Sequence, residues 1–357
     1  MEAQVSNSWR KTLLILNCLL LSVGTSAGPL VMRLYFIKGG KKVWLSSWLE
    51  TGGWPVIFIP LFIAYVNRKK THGHDTKIIF MNLRVFIATT VIGILTGLDN
   101  YFYAYGVARL PVSTSALLIS SQLAFTAFFA FILVKQKFTA FSLNAVVLLT
   151  LGAGVLALHT SGDRPKGESN RLYILGFIMT LAAAALYGLI LPMVEMMYKK
   201  AKMAITYTLV LEIQLVMSFF ATGFCTVGML INKDFQGIAH EARVCELGEA
   251  RYYVVLVWGA LLWQCFFLGS IGVIFCGSSL LSGIIIAVFL PVTEILAVIF
   301  YHERFGAEKG VALVLSLWGF VSYFYGEMKQ SKKIKSQSQS QEKNQVPQTE
   351  MTPTVEP

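Results

Sequence analysis

The chain has 357 residues, 55% apolar and 14% charged, with a mean hydropathy of +0.62, whereas a soluble domain carries about 25% charged residues. That apolar content suffices for on the order of ten spans of ~20 residues each and excludes a large soluble domain. The net charge of +11 falls between apolar runs, as Lys and Arg do at span ends, so it does not read as a nucleic-acid surface.

Ten apolar runs follow one another. The first, 12 to 33, starts after Trp9-Arg10-Lys11; it is too long for a signal peptide, shows no small-residue cleavage site before Pro29, and reads as a span. The second, 44 to 66, contains Gly52, Gly53, Pro55 and Pro60, and the sixth, 172 to 194, contains Pro192; kinks are expected in both. The others run 84 to 106, 112 to 134, 139 to 159, 205 to 231, 252 to 275, 280 to 301 and 309 to 326. This predicts an all-α polytopic membrane protein of ten transmembrane helices. A short N-terminus, 1–11, precedes a first five-helix half, 12–159, and a loop, 160–171. A second half, 172–327, carries a long acidic loop at 232–251. The polar tail, 328–357, cannot bury enough to order itself. With an even number of spans both termini share a side, and 17 of the 30 Lys and Arg fall there, which places the termini in the cytosol.

Residues 115 to 152 laid on 282 to 319, an offset of 167, match at twelve of 38 positions, including Ser115/Ser282, Thr126/Thr293 and Gly152/Gly319. The junctions Lys137-Phe138-Thr139 and Arg304-Phe305-Gly306 also correspond. A displacement of five spans makes the two five-helix repeats inverted, an organisation typical of secondary transporters with a site at the midplane.

No GxxxxGK[ST] loop occurs, so pumping would draw on a gradient. Four carboxylates lie in or near spans, Glu50, Asp99, Glu212 and Glu294, and no Lys or Arg lies at mid-span. Burying an ionised carboxylate costs several kcal/mol, so protonation is a low-energy way across the bilayer. Glu294 and Glu212, the deepest by run position, are the first expectation for proton coupling, with Asp99 next and Glu50, near a run end, last. Pro291 and Glu294, at i and i+3, share a helix face. The polar and aromatic mid-span residues suit a flat heterocycle: Asn100 with Tyr103, Gln122 with Thr126 one turn on and Thr293 as its repeat partner, Trp54, and Trp263 with Gln264. An amide both donates and accepts toward a base edge, and a base stacks on Trp or Tyr. The same residues also serve as interface anchors and interhelical bridges. The missing central cation disfavours sugar nucleotides and phosphate esters. Cys18, Cys225, Cys265 and Cys276 lie in apolar runs, Cys245 lies in a loop, and no CxxC occurs; His72, His74, His159, His240 and His302 have no partner at ligand spacing. Neither a metal nor a disulfide framework is expected, and no cofactor.

From about residue 12 to 327 the chain resembles the plant purine permeases of the drug/metabolite transporter superfamily. The motifs are Gly28-Pro29-Leu30 with Arg33-Leu34-Tyr35-Phe36, Leu95-Thr96-Gly97-Leu98-Asp99-Asn100-Tyr101, Leu110-Pro111-Val112-Ser113-Thr114-Ser115, Ser121-Gln122-Leu123-Ala124-Phe125, Leu290-Pro291-Val292-Thr293-Glu294 and Leu317-Trp318-Gly319-Phe320-Val321-Ser322-Tyr323-Phe324-Tyr325-Gly326-Glu327. The resemblance implies ten helices in two inverted halves and proton-coupled uptake, commonly at the plasma membrane, of adenine, related bases, cytokinins and other planar nitrogen heterocycles. The expected function is a proton symporter whose partners are the base, protons and the bilayer. A sugar-nucleotide exchanger on the same fold is the alternative. Short loops and the repeat argue against a receptor or an intramembrane enzyme.

Overall fold

In lipid a chain must satisfy its backbone polar groups internally, and these apolar runs do so as helices. The structure is a computed structural model that describes residues 7–72, 78–110, 115, 118–119, 121–136, 138–158, 170–301, 307, 310–311, 314–315, 317–326 and 328–329. A few helical residues, Glu294 among them, have only their backbone described. Among these residues all regular structure is helical: α1 (Asn7–Ile37), α2 (Val43–Gly52), a 3-10 turn (Trp54–Ile57), α3 (Phe58–His72), α4 (Leu83–Val107), α5 (Gln122–Val134), α6 (Ala140–Leu158), α7 (Asn170–Lys200), α8 (Tyr207–Ile231), α9 (Asp234–Val244), α10 (Glu249–Cys276) and α11 (Ser279–Tyr301). Side chains cap several of the helix starts. Asn82 accepts from the Val85 amide before α4 at 2.8 Å, and Thr206 accepts from the Leu209 amide before α8 at 3.3 Å.

Among the described residues seven helical segments are long and apolar enough to cross a membrane, one of them the composite Val43–Lys70, and Gln122–Val134 and Ala140–Gly152 are shorter apolar helices. The expected tenth run is helical over 317–326, the fourth starts largely on residues outside the description, and the tail lies almost wholly outside it. The second run is one span of two helices. Gly52, Gly53 and Pro55 interrupt it with the 3-10 turn between α2 and α3, as glycine and proline do where neighbours satisfy the freed backbone groups. The expected loop at 232–251 contains α9, whose Glu241 Oε1 accepts from the Tyr35 hydroxyl at 2.6 Å and the Tyr252 hydroxyl at 3.0 Å. Helix α9 is thereby clasped to the ends of α1 and α10.

Small residues set the closest approaches, as membrane interfaces favour. Gly24 of α1 lies against the Phe266 backbone, and a Cβ on Gly269 of α10 would come within 2.8 Å of the Asn17 carbonyl and of Leu21 Cα. α1 and α10 therefore meet backbone to backbone. Helix α4 is held between α7 and α8, with Gly93 and Gly97 against the Met217 and Ala221 carbonyls. Leu21, Ile92, Leu123, Leu191, Ile213 and Ile284 fill the interior, while Leu19, Phe62, Ile87, Val91, Val257 and Phe300 are exposed. An apolar exterior of that kind is a lipid-facing surface.

Candidate functional site

Helices α1, α2, α4, α5, α7, α10 and α11 line a partly open cavity. Two walls differ in chemistry. One is aromatic: Trp263, Phe266 and Phe267 come from successive turns of α10, with Tyr187 from α7 and Tyr103 from α4. Their rings interlock edge to face, Tyr103 to Trp263 at 5.7 Å and Trp263 to Phe266 at 5.4 Å, and Tyr187 lies 5.6 Å from Phe266. Gly28 lies beneath the indole, where a Cβ would stand 3.2 Å from Trp263 Cε2. The Trp263 Nε1 is buried without a partner, and the Tyr187 hydroxyl donates to Ser270 Oγ at 3.3 Å.

The other wall is acidic. Glu50 of α2 and Asp99 of α4 both line the cavity, with Gln122 of α5 and Thr25 of α1. Asn100, fully buried behind them, orients the acid: with its amide turned to satisfy both ends it donates to Glu50 Oε2 at 3.3 Å and to the Thr96 carbonyl at 2.9 Å. Glu50 Oε1 and Asp99 Oδ1 have no hydrogen-bond partner. No Lys or Arg is among the lining residues. Two carboxyl groups therefore line one cavity whose other walls are largely aromatic and aliphatic.

The residues expected from sequence are distributed as follows. Asp99, Tyr103, Gln122 and Trp263 line the cavity. Asn100 acts one layer behind. Thr126 is fully buried where α5 meets Gly283 of α11, and Thr293 donates to the carbonyls of Thr25, at 3.3 Å, and Phe289; neither is among the lining residues. Gln264 is buried beside Gly53 with both amide ends unpartnered, one residue round the helix from the cavity face. Trp54 packs edge to face on Phe58 and Phe219, away from the cavity. Glu212 lies in the second turn of α8, near the span end. Its carboxylate accepts from the Phe80 amide at 3.0 Å and the Met81 amide at 3.1 Å, fastening the segment that leads into α4. The side chain of Glu294 is outside the described residues. Tyr187 and Thr25 were not singled out by sequence reasoning; Tyr187 carried a signal, being a polar aromatic in the stretch 181–191 of otherwise small and aliphatic residues. Among the described residues no group of three or more His, Cys, Asp or Glu could hold a metal ion.

A family model for purine nucleobase transmembrane transport matches residues 12–333. Purine permease 3 of Arabidopsis thaliana is 56% identical over 339 residues, covering 94% of this chain and 97% of its own length. Purine permease 2 of the same plant is 52% identical over 341 residues, covering 92% and 95%. A solved structure described only as a crystal structure of a protein superposes with a TM-score of 0.58 at 16% identity, over 89% of this chain and 97% of that one. That likeness concerns the fold alone.

Proposed function

Because this chain belongs to the family of purine nucleobase transmembrane transporters, and is an integral membrane transporter rather than an enzyme, we propose that it is a proton-coupled symporter. Its cargo is adenine and related planar bases, cytokinins included, taken up across the plasma membrane. The observation that carries this reading is the cavity itself: an aromatic wall facing two carboxyl groups, with no cation lining it. In this reading the purine ring stacks on Trp263, while Gln122 and the acids meet its N–H and ring-nitrogen edge. Asp99 and Glu50 carry the proton in this reading, with Glu294 retained as a further candidate on its sequence position and Glu212 in a supporting place.

Ten spans in two inverted halves, with both termini cytosolic, is the architecture we infer. Supporting the repeat, α1 and α7 are each 31 residues long, and α1 with α7, then α4 with α10, start at residues 7 and 170, then 83 and 249. These spacings of 163 and 166 are close to the sequence offset of 167. A phosphate ester would meet two carboxylates and no counter-charge, which leaves the exchanger reading without support. The test is uptake of labelled adenine in cells lacking their own purine carriers. Uptake should rise as the outside pH falls and collapse with a protonophore, and AMP should compete poorly. Uptake indifferent to both pH and protonophore would remove proton coupling from the account.

A further inference from the structure

A second, larger concavity lies away from the base cavity, in a groove between the start of α4 and the end of α7. Its space of about 630 Å³ is bounded by Arg84, Val85, Ala88 and Ile92 on α4 and by Met193, Met196, Met197, Lys200 and Ala201 on and just past α7. Apart from Arg84 and Lys200, its walls are aliphatic or thioether. Both cations sit at helix termini, Arg84 as the second residue of α4 and Lys200 as the last of α7. They share one face of the protein, because Asn82 donates to the Ala201 carbonyl at 3.4 Å.

Neither cation has a carboxylate partner among the described residues. The adjacent Lys199 does have one, Glu195 at 2.8 Å, and that acid is spent on Lys199 and on the amide and hydroxyl of Ser279. Glu212, another acid on this face, is turned to the Phe80 and Met81 amides. The groove also opens on the correct side. Around α4, Ala88 falls between the buried strip Val85–Ile92 and the exposed strip Ile87, Val91 and Ile94, so the concavity lies at the edge of the lipid-facing surface.

We infer that this groove holds one anionic phospholipid, its phosphate between Arg84 and Lys200 and an acyl chain along the Met193–Met197 wall. An apolar trough beneath two unpaired cations at interface depth matches a molecule with those two parts in that order, and methionine walls adapt to an irregular chain. The occupant is a lipid and not a free anion, because a small anion would leave the apolar length of the groove unused. This inference does not depend on what the base cavity transports.

The full chain reconstituted in nanodiscs of phosphatidylserine and phosphatidylcholine, then released for native mass spectrometry, tests it. Wild type should retain phosphatidylserine in preference to phosphatidylcholine, and millimolar inorganic phosphate should not displace it. The double variant Arg84→Gln/Lys200→Gln should lose about thirty-fold in that preference, while Lys69→Gln/Lys70→Gln, which removes two exposed charges outside the groove, should keep it. Ala88→Trp, which fills the trough and spares both cations, should lower retention. Equal retention of the two lipids by wild type, an unchanged preference in Arg84→Gln/Lys200→Gln, or displacement by phosphate alone would each overturn the assignment. The wild-type lipid preference and phosphate competition decide the matter even if the double variant fails to fold.

Discussion

Asp99 and Glu50 present carboxyl oxygens to the cavity with no partner, whereas both Glu212 oxygens accept from backbone amides. These are different jobs, and they separate under substitution. Asp99→Asn or Glu50→Gln keeps shape but removes a titrating group, so either variant should reach the membrane, lose concentrative uptake and retain base exchange. Glu212→Gln should keep the pH dependence of uptake and instead lower the thermal stability of the purified protein, by about 1 to 3 kcal/mol for weakened charge-assisted bonds. Wild-type accumulation and pH response in Asp99→Asn would move the proton elsewhere, with Glu294→Gln the next variant to measure. Trp263→Ala should weaken apparent base affinity by about 1 to 3 kcal/mol, read as a raised KM in uptake, while the remaining transport stays pH-dependent. The sequence showed which residues were polar and apolar-flanked, and Asp99, Tyr103, Gln122 and Trp263 could be chosen on that basis. It did not show rotation about the helix axis. Gln264 and Trp263 are sequence neighbours that face different helices, and hydropathy gives them the same standing.

At the scale of elements, most helix limits follow the hydropathy runs: α4, α8 and α10 lie within a few residues of 84 to 106, 205 to 231 and 252 to 275. Where they depart, the cause is chemical. Glu50 stands early in the second run, where hydropathy puts a span end; α2 ends two residues later at the Gly52-Gly53 break, and Glu50 lines the cavity. Helix α9 escaped notice because it is short and polar on one side, held by Glu241 rather than by lipid. The α1–α10 contact allows a sharper test, since it depends on the absence of side chains. Gly269→Ala pushes a methyl into the Asn17 carbonyl and should destabilise the protein by about 1 to 3 kcal/mol. Gly223→Ala, at a position with nothing within 4 Å, should be neutral. Thermal unfolding of the two variants in detergent makes the comparison, and equal shifts would show that the helices are not held by close approach.

For the whole molecule, the proposed coupling of one proton to a neutral base would make each transport cycle carry one positive charge inward. At equilibrium the driving force is about 1.36 kcal/mol per pH unit of outside acidity, a tenfold accumulation, and about 2.3 kcal/mol per 100 mV of inside-negative potential. Proteoliposomes with an imposed gradient of one kind at a time should show adenine accumulating under either. Accumulation under a pH gradient but not under potential would mean an electroneutral cycle, in which the base crosses as an anion or a second ion leaves.

The glycine under the indole has a consequence for selection among cargoes. Trp263 rests where it does because residue 28 has only a hydrogen there, so the clearance of the cavity is gauged by one missing carbon. Restoring that carbon in Gly28→Ala forces the ring to give by a few tenths of an ångström and so changes the room left in the cavity it lines. On the proposed function, unsubstituted adenine should still be taken up by this variant, while a base bearing a branched chain on its exocyclic nitrogen should compete less well than it does in wild type, so that a single methyl would separate the two cargoes.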